Sequence, residues 1–231
     1  MEKRPKIGLA LGSGSARGFS HIGVIKVLEE NKIPIDYISS TSIGSLIGGY
    51  YATFLNIKKL EEMALKITKR DLVKLLDVSL PKTSLIKGRK IERFIQEIME
   101  NRSFANTKIP LTIITTDLKS GKEVIINRGK LVNAMRASIS IPGIFSPVKL
   151  NGKLLVDGGV TNSTPVDVVK KMGADIIIGV DLTIEGKVKL DKPNIFQTIF
   201  RSFEIVRAQT TESHINKIKE NIILIQPHIS K

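Results

Sequence analysis

Short apolar runs bounded by glycine-rich or polar turns alternate along this chain with segments whose apolar residues recur every three or four positions. The first run, Lys6–Leu11, reads as a buried strand and leads into Gly12–Gly18, a loop of small residues. From Phe19 to Asn31, Ile22, Val24, Ile25, Val27 and Leu28 suit an amphipathic helix. Pro34 opens a second strand that includes Tyr37–Ser39. A crowded turn, Ser40–Gly44, then feeds a helix over Ser45–Thr53. Strand, loop, helix, strand, turn and helix in this order predict an α/β layered domain with a largely parallel sheet.

The same signals continue downstream. Helical spacing covers Ile57–Lys69, Lys90–Asn101 and Lys130–Ser138. Pro110 introduces the β-branched run Leu111–Thr116, and Ser120-Gly121 turns it into Glu123–Asn127. Asn151-Gly152 predicts a tight hairpin between Val148–Leu150 and Lys153–Val156. Thr164-Pro165 starts a helix that runs to Met172. Ile176–Val180 is a buried strand, Thr183–Pro193 a polar connector, Ile195–Lys219 a long helix and Asn221–Gln226 a last strand. In the long helix, Ile195, Ile199, Phe203, Val206, Ile215 and Ile218 are the apolar positions. Arg70–Gly88 has no clean period and reads as a lid-like excursion, about residues 70–89, in a single domain over residues 1–231.

Composition narrows the chemistry. There is no cysteine, so thiol catalysis and disulfides are excluded. The amino terminus has too short an apolar run for a signal peptide, and no run approaches the ~20 residues of a spanning helix. The expectation is a cytoplasmic protein. Its net charge of +14 favours an anionic partner. With no tryptophan and 5% aromatic residues, nothing supports base stacking, and no nucleic acid is expected. The stretch Lys58–Arg93 carries eleven basic and five acidic residues. It is the face expected to touch anionic membrane peripherally, with Leu72, Leu75, Leu76 and Leu80 admitting an acyl chain.

Ser42 sits at the tip of Ser40–Gly44. A strand that reverses sharply into a helix exposes the central side chain and needs small neighbours, which is the logic of a nucleophile elbow, here S-x-S-x-G. An ordinary Ser/Gly turn has the same composition. The Gly12–Gly18 loop lacks the lysine of a phosphate loop. For a dinucleotide fingerprint its glycines are misspaced, and Asp36 precedes the second strand. A third reading is an oxyanion hole, with backbone amides converging at a helix start. A serine nucleophile needs a proton acceptor. His21 follows the loop, His214 lies in the long helix and His228 in the tail. Asp157 ends a hairpin strand before Gly158-Gly159, where it could equally be a turn aspartate.

Taken together, these pieces resemble the patatin-like phospholipases, bacterial branch, along nearly the whole chain. They are Gly12–Gly18 with His21, Ser40–Gly44, Pro110 with Thr116-Asp117, Ala137–Gly143 with Pro147-Val148, and Asp157–Gly159 with Asn162 and Pro165-Val166. The resemblance implies a three-layer α/β/α fold, mostly parallel, and a lipid acyl hydrolase of phospholipase A, lysophospholipase or esterase type. It implies a Ser42–Asp157 dyad without histidine, and an oxyanion hole from the amides of Ser13, Gly14 and Ser15. Arg17, Gly18, Ser40, Gly44, Gly158 and Gly159 would support these groups. The substrate would be a phospholipid or another acyl-ester lipid, and neither a metal nor a cofactor is required. Serine stands at 13, 15 and 40 where the family usually has glycine. The amide donor survives such a change, at ~1–2 kcal/mol of strain where φ must be positive. A non-hydrolytic lipid-binding or regulatory protein on this fold, and a nucleotide-binding α/β module, are the alternatives.

Overall fold

The computed structural model describes residues 4–68, 70–71, 86–183, 191–218 and 221–228. Most of the 70–89 excursion, with Leu72, Leu75, Leu76 and Leu80, lies outside the described residues. The strands are β1 (Ile7–Leu11), β2 (Tyr37–Thr41), β3 (Leu111–Asp117), β4 (Glu123–Ile126), β5 (Val148–Leu150), β6 (Lys153–Asp157), β7 (Ile176–Val180) and β8 (Ile222–Ile225). The helices are α1 (Ser20–Glu30), α2 (Ile43–Phe54), α3 (Ile57–Lys66), α4 (Arg89–Ile98), α5 (Leu131–Ser138), α6 (Val166–Lys171) and α7 (Ile195–Ile215).

One sheet runs β5-β6-β3-β2-β1-β7-β8, with β4 also paired to β3. Pairings from β3 through β2, β1 and β7 to β8 are parallel, and the β4, β5 and β6 pairings are antiparallel. Alternation along the strands sends successive side chains to opposite layers. Leu9 and Leu11 join the large core, which also takes in residues of α1 to α5, whereas Ala10 packs with Val166 and Val169 of α6. The expected three layers, helices on both faces of a mostly parallel sheet, are therefore present.

The register of β3 positions the site. The Asp117 N–H bonds to Lys122 on the β4 side, while Leu118 N–H bonds to Leu154 on the β6 side. Amides of successive residues address opposite edges, so even-numbered groups of β3 face β6. The even-numbered carbonyl of Pro110 accepts from Ile38 of β2. Strands β2 and β6 thus share one edge of β3, end to end. Thr41 closes β2 opposite Ile114, and Asp157 closes β6 opposite the next residue, Thr115.

Two local details differ from the sequence pattern. The second half of the glycine-rich loop is a 3-10 turn, Ser15–Phe19, that runs into α1. In α7 the buried residues are Phe203, Glu204, Arg207 and Thr211, while Ile195 and Val206 are exposed. Among the described residues, no helix is long and apolar enough to cross a membrane.

Candidate active site

Ser42 lies between the end of β2 and the start of α2 with φ 55° and ψ −125°. A non-glycine residue held there stores of order 1–3 kcal/mol, and neighbours must hold it in place. Here Ser42 N–H donates to Ser138 Oγ at 2.8 Å, and Ser138 Oγ donates to the Ile114 carbonyl at 2.7 Å. The Ser42 carbonyl accepts from Ser45 N–H at 2.8 Å and from Ser45 Oγ at 2.6 Å. Gly44 lets the turn close, because a Cβ there would lie 2.3 Å from the Leu11 carbonyl oxygen. Ser40 is fully buried, and its Oγ donates to the Thr112 carbonyl at 3.3 Å.

Because β2 and β6 abut, Ser42 Oγ reaches Asp157 and donates to Oδ2 at 2.7 Å. The other oxygen, Oδ1, accepts Gly159 N–H at 2.8 Å. Asp157 is fully buried, its own N–H held by the Ser140 carbonyl at 2.9 Å. Burial pushes its carboxyl up to about 6, against the downward pull of the Ser42 and Gly159 hydrogen bonds and the Arg207 charge. At neutral pH the group is a carboxylate with a raised proton affinity, which suits a base better than an exposed aspartate does. Gly158 abuts β3, where a Cβ would meet the Ile114 carbonyl at 2.4 Å.

In the glycine-rich loop, Ser13 N–H is already donated to the Ser163 carbonyl at 3.0 Å. That removes it from the three amides expected to face an oxyanion. Gly14 and Ser15 amides make no backbone hydrogen bond among the described residues. Ser15 takes φ 51°, so of the serine substitutions in this loop it is the one that carries left-handed strain. Gly18 packs on Ile43 and so joins the loop to the elbow. Arg17 pairs with Glu204 of α7 at 2.7 Å, and Arg201 reaches the same carboxylate at 3.5 Å.

His21 does not approach Ser42's partner. It is buried, with Nε2 against the Gly12 carbonyl at 2.7 Å, and a carbonyl can only accept, so Nε2 donates. Burial pulls its pKa down to about 4, and the ring is neutral at physiological pH. His214 lies in another network, with Nδ1 3.0 Å from Asp167 and Nε2 3.1 Å from the Thr161 carbonyl.

Sequence reasoning missed three contributors. Ser138 and Ser140, within a segment that carried the family resemblance, tie the elbow and Asp157 to each other. Arg207, buried in α7, donates to Ser13 Oγ, the Ser13 carbonyl and Ser163 Oγ. Among the described residues, no group of three or more His, Cys, Asp and Glu side chains could hold a metal ion.

A family model for patatin-like phospholipase matches residues 9–170. An uncharacterized NTE family protein of Mycobacterium tuberculosis is 36% identical over 193 residues, 83% of this chain and 53% of that one. The lysophospholipase NTE1 of Scheffersomyces stipitis is 37% identical over 179 residues, 76% of this chain and 12% of that protein. This chain spans about half of the mycobacterial relative and a small part of the fungal one. Among solved structures, VipD from Legionella pneumophila has a TM-score of 0.65 at 14% identity, covering 97% of this chain and 61% of that one. This last match is a likeness of fold alone.

Proposed function

We propose that this chain, which belongs to the patatin-like phospholipase family, hydrolyses acyl esters of lipids through Ser42 and Asp157. The observation that carries the reading is the buried 2.7 Å hydrogen bond from Ser42 Oγ to Asp157 Oδ2, between residues 115 positions apart. Ser42 Oγ attacks the ester carbonyl carbon as its proton passes to Asp157. The tetrahedral oxyanion accepts from the Gly14 and Ser15 amides. Collapse expels the alcohol, which takes the proton from Asp157 and leaves an acyl-serine. Asp157 then takes a proton from water, whose oxygen attacks the acyl carbon, and the fatty acid departs as Ser42 is reprotonated.

An apolar cavity of about 150 Å³ supports a lipid substrate. All eleven lining residues are apolar. Phe19, Ile43, Leu46 and Ile47 form the wall nearest the elbow, and Met63 and Phe94 lie on α3 and α4. Ile43 follows Ser42 in the chain, which puts one wall of the cavity next to the elbow. Each added methylene contributes about 0.8 kcal/mol, roughly fourfold in kcat/KM, until the cavity is full. Leu46→Trp, by filling it, is expected to flatten that dependence in a series of aryl esters while leaving the shortest ester unchanged. Lys58, Lys59, Lys66, Lys90 and Arg93 are exposed on the two outer helices, which suits a negatively charged lipid surface.

The deciding test uses phospholipid vesicles and a serine-directed fluorophosphonate. Wild type is expected to release fatty acid, faster from anionic than from neutral vesicles at low salt, and to be labelled once. Ser42→Ala is expected to do neither. A wild type that is neither labelled nor turns over ester would favour the non-hydrolytic lipid-binding alternative. Hydrolysis that persists in Ser42→Ala would remove the dyad from the mechanism.

A further inference from the structure

Arg207 is among the largest fully buried side chains, yet among the described residues no carboxylate touches its guanidinium. Its hydrogen-bond partners are two hydroxyls and one peptide carbonyl. A buried charge with no carboxylate in hydrogen-bond contact is expensive, and the charges that act on it from a distance are Asp157, Glu204 and Asp181, opposed by Arg17. The residue also lies beyond the span matched by the family model, residues 9–170, on a helix that sequence reasoning treated as amphipathic packing.

Both backbone groups of Ser13 are committed. Its N–H goes to the Ser163 carbonyl, and its carbonyl accepts from Arg207 Nη2. In a trans peptide the carbonyl and the following N–H point in opposite directions. By drawing the Ser13 carbonyl toward α7, Arg207 therefore turns the Gly14 N–H away from α7. The side chains lock the same peptide: Arg207 Nε donates to Ser13 Oγ, which is 2.7 Å from Ser163 Oγ. The arginine stem also borders Asp157. A Cβ on Gly159 would lie 3.2 Å from both Arg207 Cγ and Asp157 Oδ1, so the two are neighbours across that glycine.

We propose that Arg207 is a positioning residue for hydrolysis, which orients the Gly14 amide toward the oxyanion and serves as the interior counter-charge to Asp157. This rests on the reading of Ser42 and Asp157 as the reacting pair. The hydrogen bonds serve the loop and the charge acts on the carboxylate, and a single side chain on α7 couples them. Lysine keeps the charge but lacks the fork that bridges Oγ and carbonyl of one residue.

The experiment compares full-length wild type, Ser42→Ala, Arg207→Lys and Arg207→Met on a soluble aryl ester across pH, with folding checked by circular dichroism. Arg207→Met is expected to lower kcat by roughly 100-fold, the scale of losing one oxyanion donor, with KM nearly unchanged. Its acid limb is expected to move to higher pH, because the charge that favours the Asp157 carboxylate is gone. Arg207→Lys is expected to hold the acid limb near its wild-type position and still lose kcat. Should Arg207→Met not fold, Arg207→Lys decides: kcat equal to wild type overturns the proposal, as does an Arg207→Met enzyme with unaltered kcat and acid limb. A wild type whose turnover does not depend on Ser42 overturns the reacting pair itself, a result separate from either outcome at Arg207.

Discussion

With Asp157→Asn, the proposed hydrolysis is expected to fall by roughly 1,000-fold or more, the upper range of losing a general base, while the folded state is expected to become more stable at neutral pH. The two effects share a cause. Asp157 is fully buried and its folded pKa is raised from 3.8 to about 6. A carboxyl raised in this way contributes its full stability only while protonated in both states, below 3.8, and that contribution is lost as pH rises through 6. Asparagine has no charge to bury. Its oxygen can accept Gly159 N–H and its amide can donate to Ser42 Oγ, so both hydrogen bonds of the carboxylate are replaced, the second with its direction reversed. The gain over wild type is therefore small near about pH 4 and reaches ~3 kcal/mol above about pH 6. Chemical unfolding of both proteins at the two pH values reads it directly. A gain equal at both would mean that Asp157 is not held in its raised state. In wild type, the same group is expected to set an acid limb near pH 6 in kcat/KM.

Gly44→Ala is expected to cost roughly 3 kcal/mol of stability and nearly all turnover. A methyl at this position meets the Leu11 carbonyl oxygen at 2.3 Å and that of Gly12 at 2.8 Å, both backbone atoms of the strand end and loop beside the elbow. No side-chain rotation relieves the clash. Either α2 shifts outward and carries Ser42 from Asp157, or β1 moves and carries the Gly12–Gly18 loop. Gly23→Ala is the matched control, because a Cβ in that part of α1 has nothing within 4 Å. It is expected to stabilise by about 0.5–1 kcal/mol through helix propensity alone. Thermal unfolding of the pair checks the difference, and a Gly44→Ala protein as stable as wild type would mean the elbow is looser than described.

What the sequence revealed and withheld follows from the range of each interaction. The Lys6–Leu11 strand, the sharp turn at Ser42 and the Asn151-Gly152 hairpin depend on neighbours within a few residues, and their patterns were readable. That Asp157 faces Ser42 depends on β2 and β6 sharing an edge of β3, a register no local pattern encodes. Only the resemblance pointed to it. Arg207 escaped notice because helical periodicity assigns apolar residues inward. The inner face of α7 instead packs on polar loop backbone, so Glu204, Arg207 and Thr211 are buried while Ile195 and Val206 are exposed. Ser13 misled for a related reason: its amide is spent on Ser163, a partner 150 positions away.

The meeting of two strand ends on one neighbour has a consequence for biosynthesis. A ribosome that has released only the first hundred or so residues has made Ser42 but not its acceptor, and the hydroxyl is then an ordinary alcohol. Under the proposed mechanism, the pair forms when the antiparallel hairpin docks on β3 and brings Asp157 to Ser42. On the proposed mechanism, a growing chain that lacks Asp157 carries no reacting pair.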